Sequence, residues 1–331
     1  MANIQDVAKL AGHSVSTVSR TLNNSGYIAA KTRQEVMTAI RALDYHRNGI
    51  ARALSLGKTN QIGIVVPYIN HPYFQKLTDA ITEMAFYQDY QVTLLATNYV
   101  PEQELHYLDL LKHHLLDGLI FTSRSLPFEE IARFKDYGPI VCCEDTFDFP
   151  ITSVFTNRSE SFLDVFRRLK RLNLTHIGVT VSRNERVSQS AQAMIKAYAM
   201  VFGQALEDKM IFRESKNTFD GLTAARTFVK NEPQLQAIFA NGDEIAAGAL
   251  RQLQQLGSSA LVIGQENLPV SFLMDYSTID HGLIEMGQTA FGLLFKNHLV
   301  KQQVASKLIM RGTLQLLESQ RINQNRVLCS D

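Results

Sequence analysis

With 331 residues, 45% of them hydrophobic and 20% charged, and a formal net charge of +1, the chain has the makeup of a globular protein of more than one domain. No apolar stretch nears the roughly 20 residues that cross a bilayer, and the N-terminus lacks a signal peptide's basic-then-apolar pattern, so a cytoplasmic protein is expected. Three cysteines, Cys142, Cys143 and Cys329, lack metal-ligand spacing, and the adjacent pair points to opposite faces of a strand, so free thiols are expected, with no metal or cofactor.

The charge is unevenly spread. Residues 1–58 hold eight Lys and Arg against three acids, whereas the remainder is mildly acidic. A basic head on an acidic body predicts a polyanion partner for the head alone.

In chain order, Asn3 is placed to cap a first helix with Asp6 at its positive end, and Val7, Leu10 and Ala11 mark a buried stripe. Gly12 suits a left-handed stop. Ser14 then caps a second helix from Val15 to about Asn23, with Val18 and Leu22 inward and Ser16, Ser19 and Arg20 outward, Thr17 at the edge. A third helix follows from about Lys31 to Leu43, with Val36, Ile40 and Leu43 on one side. Two short helices around a tight turn, buttressed by a third, form the helix-turn-helix plan, whose second helix enters the major groove. A solvated helical pair is the plain alternative.

The stretch IQDVAKLAGHSVSTVSRTLNN followed by AAKTRQEVMTAIRALDYHRN resembles the head of the LacI-type (lactose/galactose repressor) family. Members read close to D-V-A-x-x-A-G-V-S-x-x-T-V-S-R-x-L-N and then K-T-R-x-x-V, with His13 here standing where Val is usual. The resemblance implies base reading by Val15, Ser16 and Arg20, and backbone contacts from Ser14, Thr17, Ser19 and Asn23. It also implies a hinge over 47–58 that becomes helical on the operator, using Asn48, Ala51, Arg52 and Leu54, with Leu54 wedged between base steps of the minor groove. Gly49 and Gly57 weaken that segment's own helix propensity.

From Gln61 the pattern alternates strand and helix. QIGIVVPYI, QVTLLAT, GLIFTS and PIVCCED read as strands, and helices begin near Asn70 and Pro72, with Phe74, Leu77, Ile81 and Met84 inward, and after Pro101, with Leu105, Leu108, Leu111 and Leu115 aligned. HIGVTVS, LQAIFAN and SALVIGQ form a second set. The expected fold is an α helix-turn-helix head (1–46), the hinge, and an α/β body (59–331) of two doubly wound parallel sheets. The body resembles the periplasmic sugar-binding proteins, which implies three crossings between lobes. That places one lobe at about 60–152 plus 281–302, and the other at about 153–280 plus 303–331.

Ligands of such sheets bind beyond the strands' C-terminal ends. By resemblance, the effector candidates are Tyr73 and Phe74, Asn241 and Asp243 in IFANGDEIAAGAL, and Glu266 in VIGQENL where G-F-D is usual. TNRSES replaces the frequent D-N-x-x-G, with Asn157 and Arg158 at its first two positions. The family's effector-clamping Arg is missing, since either alignment of SRNERVSQSAQAMIKAY puts Met194 or Ser190 there, and Arg183 and Arg186 are the nearby substitutes. Tyr73 and Phe74 have core packing as their plain alternative.

The resemblance implies a homodimeric, sequence-specific repressor of carbohydrate-utilisation genes that binds double-stranded DNA at a palindromic operator and answers to a small, sugar-like effector. Helices near 72–88 and 282–298 would meet in the dimer. Altered or lost effector sensing, or activation instead of repression, are the alternatives. A transport protein fits neither the basic head nor the missing signal peptide, and no nucleotide-binding, metalloprotease or serine-hydrolase motif points to an enzyme.

Overall fold

A computed structural model describes residues 2–46, 57–186 and 188–328. The chain falls into two units, Met1–Thr59 and Asn60–Asp331.

In the head, Asn3 closes a capping box with Asp6 at the start of Ile4–Ala11, and Gly12 ends that helix in the left-handed region at φ 69°. Ser14 caps Val15–Asn23, and a third helix, Ala30–Ala42, lies across both. The core is small: Val7, Ala8, Val18, Val36 and Ala39 are buried, with Leu22, Ile40 and Leu43 packed beside them. Leu10 departs from the expected stripe and is 55% exposed. The inward line runs Ile4, Val7, Ala8, Ala11, at i, i+3, i+4 and i+7, which leaves Leu10 on the flank. Thr21 is buried because its hydroxyl returns to the Thr17 carbonyl at 2.8 Å.

In the body, β1 (Gln61–Val66), β2 (Gln91–Ala96), β3 (Gly118–Phe121), β4 (Ile140–Cys142) and β5 (Thr152–Thr156) share one parallel sheet. A second sheet takes β6 (Ile177–Thr180), β7 (Ile211–Phe212), β8 (Ala237–Phe239), β9 (Leu261–Gln265) and β10 (Ser277–Asp280). Late strands complete both: β11 (Lys301–Val304) runs parallel to β5, and β12 (Lys307–Ile309) runs antiparallel to β10. The orders are β11-β5-β4-β3-β1-β2 and β12-β10-β9-β8-β6-β7.

Both are doubly wound lobes, crossed three times by the chain. The crossings differ from the expected boundaries. Because β5 pairs with β4, the first crossing follows Thr156 instead of 152, and β11 keeps the first lobe until Val304 instead of 302. β5, β7, β10 and β11 are not among the strands expected from sequence; all are short, and none has a long apolar run to announce it.

One face of the first sheet packs against Pro72–Tyr87 and Leu283–Leu293, the other against Pro101–Lys112 and Phe128–Ala132. Cys142 and Cys143 are free, buried and split between these two cores, as alternation along a strand requires. The helix after Pro101 stops at Lys112, so Leu115 lies beyond it and is exposed, as is Leu105. In the second lobe, Thr218–Asn231 and Asp243–Gln255 approach closely through glycines: a Cβ on Gly221 would sit 2.1 Å from the Ile245 carbonyl oxygen, and one on Gly248 would sit 2.0 Å from that of Thr218. That approach fixes the N-terminus of Asp243–Gln255 beneath the ends of β8 and β9.

Candidate functional site

The head presents one polar helix face. The Ser14 hydroxyl accepts from the Thr17 N–H at 3.2 Å and lies 2.9 Å from the hydroxyls of both Ser16 and Thr17. Capping therefore pins the first turn of Val15–Asn23. Beyond it Val15, Ser16 and Arg20 are exposed, and Arg20 makes no ion pair among the described residues. Ser19 and Asn23 are half-buried and one helical turn apart, with the Asn23 amide donating to the Ser19 hydroxyl at 3.4 Å; Thr17 is half-buried at the edge. His13 joins the turn to the third helix through Glu35, Nε2 to Oε2 2.8 Å, so the residue in the usual valine's place fastens the motif by a polar contact. Asn48, Ala51, Arg52 and Leu54 lie outside the described residues.

The body gathers polar side chains just past the strands' C-terminal ends. From the first lobe, the Tyr99 hydroxyl donates to Ser123 at 3.2 Å, and Ser123 donates to Glu144 Oε1 at 2.6 Å. Arg124 stands 3.7 Å from the other oxygen of Glu144. From the second lobe, the Arg183 guanidinium stacks 3.9 Å above the Tyr99 ring, a cation–π contact across the cleft. Arg158, at the first crossing, donates to the Ser190 hydroxyl at 3.1 Å and lies 5.0 Å from the Tyr73 ring centroid.

Glu266 is the central carboxyl of the second lobe. It is buried, with a left-handed backbone (φ 98°), and its side chain accepts from the Asp243 N–H. Gly242, the N-cap of Asp243–Gln255, offers no side chain, so Glu266 caps that helix from the next loop. Burial pushes the Glu266 carboxyl well above its ordinary range and the neighbouring Asp243 adds to this, while Arg158 opposes it. His281, also buried, places Nε2 3.1 Å from Gln265 Oε1, and Gln265 in turn donates to the Ala240 carbonyl. That chain assigns the proton to Nε2 and leaves Nδ1 an acceptor with no partner among the described residues. Burial, then Arg158, pulls the imidazole well below its ordinary pKa, so it is neutral.

Of the expected effector residues, Arg183 and Glu266 stand in this cleft. Phe74 is core: it is buried with its ring against Tyr73 and His71. Tyr73 is also core, with its hydroxyl's pKa raised by burial against the pull of Arg158. Asp243 has no exposed surface. Its carboxylate accepts from the Leu268 N–H and the Thr278 hydroxyl, both at 2.7 Å, so it braces the loop instead of facing a ligand. Asn241 is committed to Thr180 and the Ser215 carbonyl, and Arg186 is exposed with no side-chain contact in the cleft. Tyr99, Ser123, Glu144 and His281 were not assigned to the site from sequence, whereas Arg158 and Ser190 stand at positions that the family pattern marks, the D-N-x-x-G segment and one alignment of the clamp. Their shared signal is position, each within a few residues of a strand's end or at the start of the helix after it. No cluster of three His, Cys, Asp or Glu fit for a metal occurs among the described residues, and no described helix is long and apolar enough to cross a membrane.

Comparison with known proteins covers both units. Residues 3–48 match the model for bacterial regulatory proteins of the lacI family, and residues 59–289 match that for periplasmic binding proteins and the sugar binding domain of the LacI family. The catabolite control protein B of Bacillus subtilis is 37% identical over 297 residues, covering 90% of this chain and 95% of that protein. The ribose operon repressor of Halalkalibacterium halodurans is 26% identical, covering 95% and 97%. In fold, the lac repressor dimer bound to operator and the anti-inducer ONPF superposes with a TM-score of 0.79 at 20% identity, covering 95% and 99%.

Proposed function

The chain belongs to the LacI family of bacterial regulatory proteins, and on that premise we propose that it is a sequence-specific DNA-binding repressor of carbohydrate-utilisation genes. It works as a homodimer on a palindromic operator, in the cytoplasm and on the nucleoid, without catalysis. The observation that carries the reading is the Ser14-capped helix, which turns Val15, Ser16 and an Arg20 with no ion pair among the described residues outward from a basic head. Arg20 suits a bidentate contact with guanine and Val15 an apolar contact with a thymine methyl, while Ser14, Thr17, Ser19 and Asn23 hold phosphates. Leu54, with Asn48, Ala51 and Arg52, supplies the minor-groove wedge. Selection of bound fragments from genomic DNA tests this: palindromic sites bound far more tightly than scrambled duplex at fixed salt are expected, and equal binding to both defeats it.

The cleft between the lobes takes the effector, a small polyhydroxylated molecule, a sugar or sugar derivative. Arg158, Arg183 and Arg124 stand with Glu144 and with Glu266, whose burial favours its neutral form, so guanidinium donors outnumber carboxylates and suit a ligand rich in hydroxyls or carrying a negative group. The acceptor on His281 matches a hydroxyl donor. Arg158 reaches Ser190, the position where one alignment expects the clamp Arg, so the guanidinium returns to the cleft from another element. Ligand bound there biases the lobes between two arrangements and thereby the operator affinity, by its differential affinity for the two.

A further inference from the structure

The turn that carries Glu266 has an unusual division of its hydrogen bonds. Glu266 and Asn267 both have left-handed backbones, at φ 98° and 49°. Their N–H groups are held by their own lobe: Glu266 N–H donates to the Ile279 carbonyl at 2.7 Å and Asn267 N–H to the Thr278 hydroxyl at 3.2 Å. The Asn267 side chain is held there too, by Asp280 at 3.0 Å and Arg311 at 2.9 Å. Their carbonyls face the other way. Both accept from the Lys76 ammonium of the first lobe, at 3.2 Å from Glu266 and 3.4 Å from Asn267.

Around this bridge the lobes are separated by a groove of about 590 Å³, with Lys76 and Asp79 on one wall and Leu268 and Pro269 on the other. Lys76 belongs to Pro72–Tyr87, whose opposite face is locked onto Leu283–Leu293: a Cβ on Gly287 would sit 2.7 Å from Ala80 Cβ and 2.8 Å from the Leu77 carbonyl oxygen. The ammonium therefore hangs from a rigid helix. A cation shared by two carbonyls makes charge-assisted hydrogen bonds, stronger and more orienting than neutral ones.

We propose that Lys76 is a positioning residue of the effector site, tying the Glu266 turn to the first lobe and so coupling the two lobes across the groove. The proposal rests on the reading of the cleft as the effector site. Glu266 is fixed from below by its own lobe and from across the groove by Lys76, so any ligand that shifts Glu266 also pulls on Pro72–Tyr87.

The test is hydrogen exchange on the full-length chain with Lys76→Met, which keeps the aliphatic stem, Lys76→Arg, which keeps the charge, and Glu102→Gln as a control on an exposed position of Pro101–Lys112 in the same lobe. In Lys76→Met the amides of Glu266 to Leu268 are expected to exchange about tenfold faster, with solution scattering showing a more open body, while amides within Pro72–Tyr87 keep their protection. Lys76→Arg should restore much of both, and Glu102→Gln should change neither. Unchanged exchange at Glu266 to Leu268 in Lys76→Met overturns the proposal. So does a uniform loss of protection across the first lobe, which marks a merely structural lysine. Operator titration of the same samples separates the two levels: a Lys76→Met protein that binds operator with an unaltered turn removes this inference alone, whereas a parent protein with no preferred site removes the reading beneath it.

Discussion

Ser14 holds both the recognition helix and, in the proposed complex, a phosphate, and Ser14→Asp separates these roles. Aspartate caps helices as well as serine, and the position is exposed, so the new carboxylate stays solvated and the head stays folded, within about 0.5 kcal/mol of the parent. On the operator the same carboxylate meets the backbone. At about 4 Å from a phosphate, two unit charges repel by about 1 kcal/mol in water and about 4 kcal/mol at the effective dielectric of a protein surface. A dimer carries two such heads, so the low end alone weakens binding by about 30-fold. The loss shrinks with added salt, because the repulsion is screened. Fluorescence anisotropy with a selected operator at low and high ionic strength, paired with circular-dichroism melts, measures both quantities. A Ser14→Asp dimer that melts like the parent and binds within about threefold of it at low salt would falsify the placement of Ser14 at the backbone. Ser14→Ala is less informative, since it removes cap and contact together.

Three further outcomes are expected. Arg158→Met should abolish the rise in melting temperature produced by neutral sugars that stabilise the parent, leaving ligand-free operator affinity within about threefold; an unchanged rise excludes Arg158 from the site. Burial lifts Asp243 from 3.8 to about 6, so the folded state holds this proton more tightly than the unfolded chain between those values. Asp243's contribution to body stability is then greatest below that window, falls through it by about 3 kcal/mol as pH rises, and levels off above it. Asp243→Asn should remove that slope in denaturant titrations from pH 4 to 7, and parallel curves for the two proteins would count against it. Gly264→Ala would place a Cβ 2.1 Å from Asp243 Oδ1, inside a braced and fully buried carboxylate, and is expected to cost the body about 3 kcal/mol or more. A melting temperature unchanged by that substitution would show the loop to be far looser than its hydrogen bonds imply.

How much of this was legible in sequence follows from how local each determinant is. The head's helices are set by short-range chemistry: Asn3 with Asp6, Gly12 and Ser14 act within a turn of themselves, and all can be read directly. Leu10 was misplaced because three helices choose which edge of an amphipathic stripe to cover, and that choice lies outside the helix's own periodicity. The long apolar strands were plain, whereas β5 and β7 owe their existence to neighbouring strands.

The cleft was the hardest part, for the same reason. Sequence patterns place a residue at the end of a strand but leave open whether its polar atoms are free or already bonded within the protein. Asp243 and Asn241 occupy positions that resemble a ligand site, yet their polar atoms are committed to Thr278, Leu268, Thr180 and Ser215. Arg158 replaces a residue of the recognised pattern with different chemistry and His281 lies outside that pattern, yet both stand at the crossings between lobes, with Arg158 near enough to bear on the charge of both Glu266 and His281. Such a site depends on sums taken over distant segments: Lys76 and Glu266 meet across 190 positions of sequence. In the proposed effector site, Ser190 in place of the usual arginine therefore leaves a guanidinium in the cleft, because Arg158 reaches Ser190 from the neighbouring helix.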